Sequence, residues 1–322
     1  ACVGLAQLRE ILRRDAAPAP EADWLKEDET AYILFTSGST GKPKGVQITA
    51  GNLAAFHEGV RPFFDGMADG GAFLNEISYS FDVSVCALYE ALGRGMTLWT
   101  ADKSTLENPK ALFALLKRAK LTDWVSTPSL AELCVQSDAF CKALMPELRQ
   151  FLFCGEVLTK KLAKELMERF PDVPIVNAYG PTETTVLVTG AYMTKEMVDS
   201  DAPMPIGFAF SNCEAIIRDE AGSELPDGEA GELCLIGKTV SPGYLNRPDL
   251  NERAFFETES GLRGYRSGDL CKKERGMIYY LGRLDNQIKL NGFRVELEDV
   301  ENNLAKVPNV ARAAVLPEEQ DG

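Results

Sequence analysis

The stretch Phe35-Thr36-Ser37-Gly38-Ser39-Thr40-Gly41-Lys42-Pro43-Lys44-Gly45 decides how the chain is read. Hydroxyl residues, glycines and two lysines in so short a run make a loop whose backbone N–H groups can approach phosphate oxygens closely. A nucleotide is therefore the expected ligand. The apolar run Ala31 to Phe35 reads as a buried strand and Val46 to Thr49 as a second, giving strand-loop-strand. A Walker A loop would lead into a helix, and counted from Gly38 its register puts Pro43 where the second glycine belongs. A solvated Ser/Gly turn would explain the glycines, but not two lysines flanking a proline.

Working outward, 322 residues that are 45% hydrophobic can bury a large core, in one big domain or two. A formal charge of -14 argues against nucleic acid or an anionic membrane as the main partner. No apolar run approaches a membrane span and no secretory signal opens the sequence, so a cytoplasmic chain without stable membrane insertion is expected. The eight cysteines form no Cys-x-x-Cys pair, which leaves zinc clusters and redox pairs without support. A single histidine, His57, leaves almost no material for imidazole triads or two-histidine metal sites, and it reads as structural.

Along the chain, Leu5 to Arg14 reads as a short helix and Ala16 to Pro20 as a linker. Thr49 can cap a helix over about 50–64, and Asn108-Pro109 can open another to Lys120. Strands at Ala72 to Asn75, Met96 to Trp99, Asp123 to Ser126, Phe151 to Phe153 and Ile175 to Ala178 alternate with helices near 83–92, 130–135 and 160–170. That alternation predicts a largely parallel α/β sheet with helices on its faces. From about Pro203, short strands at Glu214 to Arg218, Glu232 to Ile236 and Met277 to Leu281 separated by turns predict a small β-barrel. Strand-like runs 287–290 and 293–296, with a helix from Leu297, begin a further α+β unit. The expected units are thus 1–29 (helix and linker), 30–202 (α/β), 203–282 (β) and 283–322 (hinge and start of a C-terminal part).

A second chemical string, Asn177-Ala178-Tyr179-Gly180-Pro181-Thr182-Glu183, stands at the carboxyl end of an expected parallel strand, where open α/β sheets collect ligands. A plain strand-to-turn reading covers Gly180-Pro181, but not the other polar residues together.

Thr36 to Gly45 resembles the phosphate loop of the acyl- and aminoacyl-adenylate-forming enzymes, Thr-Ser-Gly-Ser-Thr-Gly-x-Pro-Lys-Gly. Asn177 to Glu183 is similar to that superfamily's Asn-x-Tyr-Gly-Pro-Thr-Glu, Tyr265-Arg266-Ser267-Gly268-Asp269 to its Tyr-Arg-Thr-Gly-Asp, and Gly282 to Lys289 to its hinge. The resemblance implies an ATP-dependent ligase with Mg²⁺. Thr36, Ser37, Gly38, Ser39, Thr40, Gly41 and Lys44 would cradle phosphate, with Gly155, Glu156, Asn177, Ala178, Gly180, Pro181 and Tyr280 also around the nucleotide. By the same resemblance Tyr179 stacks on adenine, Thr182 contacts the reacting phosphate and Glu183, with Thr36, ligates Mg²⁺. Asp269 would accept from the ribose hydroxyls, Arg283 lie near ribose or phosphate, and Asp285 act as the hinge. Gly231-Glu232-Leu233 and Gly243-Tyr244-Leu245 match a further pattern read as structural.

Phe81-Asp82-Val83-Ser84 resembles the Phe-Asp-x-Ser of amino-acid-activating members, whose aspartate holds the substrate ammonium; an aspartate opening a helix is also a common N-cap. Phe153-Cys154-Gly155-Glu156-Val157-Leu158 resembles the D-alanine:D-alanyl carrier protein ligases, as do Thr127-Pro128-Ser129 and Ser241 to Tyr244. That implies Cys154 and Val186 against a small side chain, and a phosphopantetheinylated carrier protein as partner. Cys154 as core packing stays open. Complete members of the superfamily have more chain before the loop and an Asn-Gly-Lys lysine in a C-terminal subdomain, so the resemblance covers the middle of such an enzyme, either as a fragment of a longer gene or as a truncated form. Three readings stand: a ligase for D-alanine, a nonribosomal peptide synthetase adenylation domain for another small amino acid, and a catalytically silent nucleotide-binding module.

Overall fold

The computed structural model describes residues 10, 13, 19–37, 43–64, 70–285, 287–290, 293–304, 306, 307, 310 and 313–318. Gly38, Ser39, Thr40, Gly41 and Lys42 of the central loop lie outside the described residues, as does most of the expected N-terminal helix and linker. The loop's flanks are strands. β1 (Thr30–Thr36) and β2 (Lys44–Thr49) run antiparallel, with Phe35 opposite Gly45 and Thr36 opposite Lys44. Thr49 then opens α1 (Ala50–Val60) through a capping box: the Asn52 N–H donates to Thr49 Oγ1 at 3.1 Å, and the Thr49 N–H donates to Asn52 Oδ1 at 3.0 Å. The helix stops short of the expected Phe64. Pro62 has no N–H to continue it, and a 3-10 turn, Arg61–Phe63, follows.

Five strands, β3 (Ala72–Asn75), β4 (Thr97–Thr100), β5 (Asp123–Ser126), β6 (Gln150–Phe153) and β7 (Ile175–Tyr179), form the parallel part in the order β4-β3-β5-β6-β7. Helices α2 (Val83–Gly93), α3 (Pro109–Ala119), α4 (Pro128–Val135) and α5 (Lys160–Arg169) connect them. Along the strands, side chains alternate between two cores. Leu74, Trp124, Phe151, Phe153 and Ile175 pack with α3, α4 and α5, whereas Phe73, Val125, Leu152 and Val176 pack with α1 and α2. Both faces are therefore covered, which is why these strands read as near-continuous apolar runs.

The strand sense changes after β7. β8 (Thr189–Tyr192) and β9 (Pro205–Ala209) are antiparallel additions, followed in the chain by β10 (Cys213–Arg218), β11 (Ala230–Gly237), β12 (Gly243–Tyr244), β13 (Phe255–Glu257), β14 (Arg263–Glu274) and β15 (Met277–Arg283). The sheet continues in the order β7-β8-β9-β15-β14-β11-β10, with β13 on β14. The strands expected to make a small barrel thus extend the same sheet, and among the described residues they do not close on themselves. Gly207 explains the tight β8–β9 approach: its φ is +95°, and a Cβ there would stand 2.1 Å from the Gly190 carbonyl carbon. β12 leaves this sheet and pairs with β2, making a three-stranded sheet β1-β2-β12. β16 (Gln287–Leu290) and β17 (Phe293–Glu296) form a hairpin before the helix Leu297–Leu304. Among the described residues no helix is long and apolar enough to cross a membrane.

Candidate functional site

A cleft opens at the carboxyl ends of β6 and β7. Phe81, Asp82 and Val83 line it from the start of α2, Gly155 from the turn after β6, and Tyr179 to Thr182 from the end of β7. Asp269 from β14, Arg283 at the end of β15 and Gln287 complete it. Residues almost two hundred positions apart in sequence, Asp82 and Asp269, therefore line one cleft.

Asp82 occupies the N-cap position of α2 yet makes no side-chain cap hydrogen bond. It is 4% exposed. The capping alternative thus has no hydrogen bond to support it, and Asp82 lines the cleft. Gly155 is demanded at the same cleft: its φ is +90°, and a Cβ there would meet the Phe81 ring at 2.9 Å. Cys154 and Val186 are buried in the core with Val83, Cys86 and Ala178, and neither is among the residues lining the cleft.

Tyr179 is buried and its hydroxyl donates to Asp269 Oδ2. Burial, then the Asp269 charge, pushes this phenol well above its ordinary range, which keeps the proton on Tyr179 and the hydroxyl a donor. Arg283 donates from Nη1 to Asp269 Oδ1 at 2.8 Å and to the Ser267 carbonyl at 2.8 Å. Its Nε and Nη2 hold Asp285 at 2.9 and 2.5 Å. One guanidinium thereby joins the residue expected at the ribose to the residue expected at the hinge. Tyr280 lies close by, and burial followed by the charge of Asp269 raises its phenol. Asn177 is committed elsewhere, donating to the Pro205 carbonyl at 2.8 Å, and Ala178 is core.

The turn after β7 is strained. Gly180 has no room for a side chain, since a Cβ would stand 2.4 Å from the Val186 carbonyl oxygen. Thr185 and Val186, both β-branched, adopt φ of +61° and +70°, a conformation that costs about 1–3 kcal/mol per residue. Between them and Pro181 lies the 3-10 turn Thr182–Thr184, with the fully buried Glu183. Glu183 Oε1 accepts from the Tyr244 hydroxyl at 2.7 Å. The sequence places Tyr244 in a string read as structural and gives its hydroxyl no role, because a Gly-Tyr pair carries no chemical signature until its partner is known.

Glu156 Oε2 accepts from the Ser129 N–H at 3.1 Å and from the Ser129 hydroxyl. Its Oε1, like Oε1 of Glu76, is buried without a hydrogen-bond partner among the described residues. Burial, then the charge of Glu156, raises the Glu76 carboxyl to about 7. His57 lies away from this cleft, with Nδ1 2.6 Å from Glu90 Oε1 while Arg94 holds the other oxygen at 2.9 Å.

Among the described residues no group of three His, Cys, Asp or Glu side chains could enclose a metal. A hard cation there would have to share its shell with ligand oxygens and water. The residues present suit that arrangement. Thr36 Oγ1, at the end of β1, is buried with no hydrogen-bond partner among the described residues, and the Glu183 carboxylate supplies a second hard oxygen donor.

An open α/β sheet with a glycine-rich hairpin and a polar cleft at its strand ends defines a nucleotide-binding class of protein. More narrowly, the AMP-binding enzyme family model matches residues 4–245, and the chain belongs to that family. Among curated proteins it is 45% identical over 300 residues to the D-alanine--D-alanyl carrier protein ligase of Bacillus cereus (strain G9842), covering 93% of this chain and 59% of the relative. The ligase of the same name from Bacillus anthracis (strain CDC 684 / NRRL 3495) matches to the same extent. The chain therefore spans somewhat over half the length of these relatives. Among solved structures, the Vibrio cholerae adenylation domain AlmE in complex with glycyl-adenosine-5'-phosphate superposes with a TM-score of 0.81 at 34% identity, over 92% of this chain and 56% of that one. Holo-PA1221, a nonribosomal peptide synthetase protein containing adenylation and carrier domains, superposes at 0.81 with 29% identity over 94% and 53%.

Proposed function

We propose that this chain carries the nucleotide and amino-acid sites of a cytoplasmic ATP-dependent ligase that activates D-alanine as an aminoacyl-adenylate and transfers it to the phosphopantetheine thiol of a carrier protein. The observation that carries the reading is that Asp82, Tyr179 to Thr182, Asp269 and Arg283 line one cleft. Asp82 offers a buried carboxylate for an ammonium, and the others offer hydrogen-bonding groups and a guanidinium for a nucleotide. The choice of D-alanine rests on the name of the curated relatives.

In this reading the substrate carboxylate attacks the α-phosphorus of ATP, the bond to the β,γ-pyrophosphate breaks, and pyrophosphate departs. The thiolate of the carrier then attacks the acyl carbonyl and AMP leaves with its original phosphate oxygens and one from the carboxylate. The first step brings like charges together. Two of them ~4 Å apart at an effective dielectric of ~20 repel by about 4 kcal/mol, roughly three decades in rate. Lys44 and Arg283 can offset that, Thr182 can donate to the phosphate, and Asp82 orients the amino acid by its ammonium. Mg²⁺, held by Glu183 and Thr36, would neutralise phosphate charge when bound. Tyr179 and Asp269, with Tyr280 beside them, form the floor for adenine and ribose, Gly155 lets the ligand approach the backbone, and Asp285 is the hinge residue. Ser37 and the loop residues 38–41 complete the phosphate cradle.

Amino-acid-dependent pyrophosphate exchange over D- and L-alanine, glycine, serine and valine tests the reading. D-alanine should be preferred, and Asp82→Asn should reduce exchange for every amino acid by roughly two to four decades, the ~3–5 kcal/mol cost of stranding a buried charge. ATP affinity should hardly change. Full exchange activity in Asp82→Asn would remove this residue from the substrate pocket, and preference for another amino acid would favour a peptide-synthetase type of domain. ATP binding with no exchange for any amino acid would favour the silent nucleotide-binding module.

A further inference from the structure

The hairpin β1–β2 and the turn carrying Glu183 come from distant parts of the sequence, and one short segment, Thr239–Leu245, fastens them together. It grips the turn at three points. The Thr185 hydroxyl donates to the Thr239 carbonyl at 2.7 Å, the Ser241 N–H donates to the Glu183 carbonyl at 2.9 Å, and the Tyr244 hydroxyl donates to Glu183 Oε1 at 2.7 Å. On its other side the segment is strand β12, with Gly243 opposite Gln47 and Tyr244 opposite Val46. The Leu245 N–H donates to the Gly45 carbonyl at 2.8 Å.

Tyr244 is where these two attachments meet in one side chain. Its ring centroid lies 5.3 Å from Lys44 Nζ, and the Phe255 ring packs against it edge-on at 5.4 Å. The residue is 3% exposed, so the ring has one position and its hydroxyl one direction. A hydroxyl donating to one carboxylate oxygen fixes the plane of the carboxylate and the direction of the other oxygen. An aromatic face attracts an ammonium electrostatically and holds it near the ring.

We propose that Tyr244 is a positioning residue that sets the Glu183 carboxylate and the Lys44 ammonium in fixed relation to one another, so that the two act together on a metal-bound triphosphate. The inference rests on the adenylation reading, but assigns a functional role to a residue whose string, Gly243 to Leu245, reads in the sequence as structural. It also explains why the turn after Pro181 can hold two β-branched residues at positive φ: the segment that orients Glu183 also clamps the strained backbone at Thr185 and Glu183.

Calorimetric titration of the 322-residue chain with ATP, in excess Mg²⁺ and in chelator, separates the two contacts. Tyr244→Phe keeps the ring and loses the hydroxyl, so binding in chelator should stay within twofold of wild type while the gain from Mg²⁺ falls about five- to tenfold. Tyr244→Leu also removes the ring, and should weaken binding in chelator by about threefold as Lys44 loses its platform. In a Glu183→Gln background, Tyr244→Phe should have no further effect on the Mg²⁺ gain. Wild type that binds no ATP would overturn the adenylation reading, and this inference with it. Wild type that binds MgATP, with Tyr244→Phe showing the same Mg²⁺ gain, would overturn the inference alone. An equal loss with and without Mg²⁺ accompanied by a lowered Tm would also overturn it, because Tyr244 would then act only through packing.

Discussion

The carboxylate of Asp269 meets a donor at each oxygen, Arg283 at Oδ1 and Tyr179 at Oδ2. Glu76 and Glu156, just past the ends of β3 and β6, instead each keep one buried oxygen with no hydrogen-bond partner among the described residues. The first region is built from contacts between distant segments and holds its charge at low cost. The second region holds two acids near one another and lowers the cost by keeping a proton on Glu76. The Asp269 region thus contributes to stability, and the region of Glu76 and Glu156 stores electrostatic cost.

The sharpest way to break this contrast is to remove the guanidinium. Arg283→Met leaves the buried Asp269 without its cation and should lower unfolding stability by about 3–5 kcal/mol, measured by urea denaturation. Adding Asp269→Asn should recover part of that loss. If Arg283→Met costs under about 1 kcal/mol, the Asp269 network is not the stabilising region.

Glu76→Gln should act in the opposite direction, and only at high pH. Below its ordinary value of 4.5 the Glu76 carboxyl is protonated in both folded and unfolded chains, so it carries no penalty. From 4.5 to about 7 the unfolded chain loses the proton while the folded chain keeps it, and stability falls as pH rises. Above that range the whole penalty remains, up to about 3 kcal/mol. Urea melts should therefore show Glu76→Gln more stable than wild type at pH 8 by up to that amount and nearly equal at pH 4. The same difference at both pH values would mean that titration of Glu76 is not its source.

The smallest effect is expected in the buried core. Cys154→Ala removes one buried sulfur from a core shared with Val83 and Val186. It should shift the ranking of D-alanine against slightly larger amino acids in pyrophosphate exchange by about 1 kcal/mol, several-fold in rate. An unaltered ranking would leave Cys154 as packing alone.

Much of this molecule is legible in its sequence because its signals are local. A two-residue alternation with apolar residues at every position announces strands covered on both faces, and Thr49 or Asn108-Pro109 announces a helix start by chemistry within three residues. The glycine-rich stretch and Asn177 to Glu183 could be recognised for the same reason, as could the identity of the family. Pairing over long separations has no such signal. The direction of a β-strand's partner is set by register and by what else has already packed, so the run beyond Pro203 read as a separate barrel although its strands continue the sheet. The hydroxyl of Tyr179 finds Asp269 across 90 residues, and that of Tyr244 finds Glu183 across 61. The sequence by itself determined which chemical groups were available and which short segments would become strands and helices. Only the tertiary structure decided that Asp82 would line the cleft rather than cap its helix, and that Tyr244 would join Glu183 to Lys44. Hydrogen bonds and charge pairs act only over a few ångströms, and that proximity exists only once the sheet and its crossovers have formed.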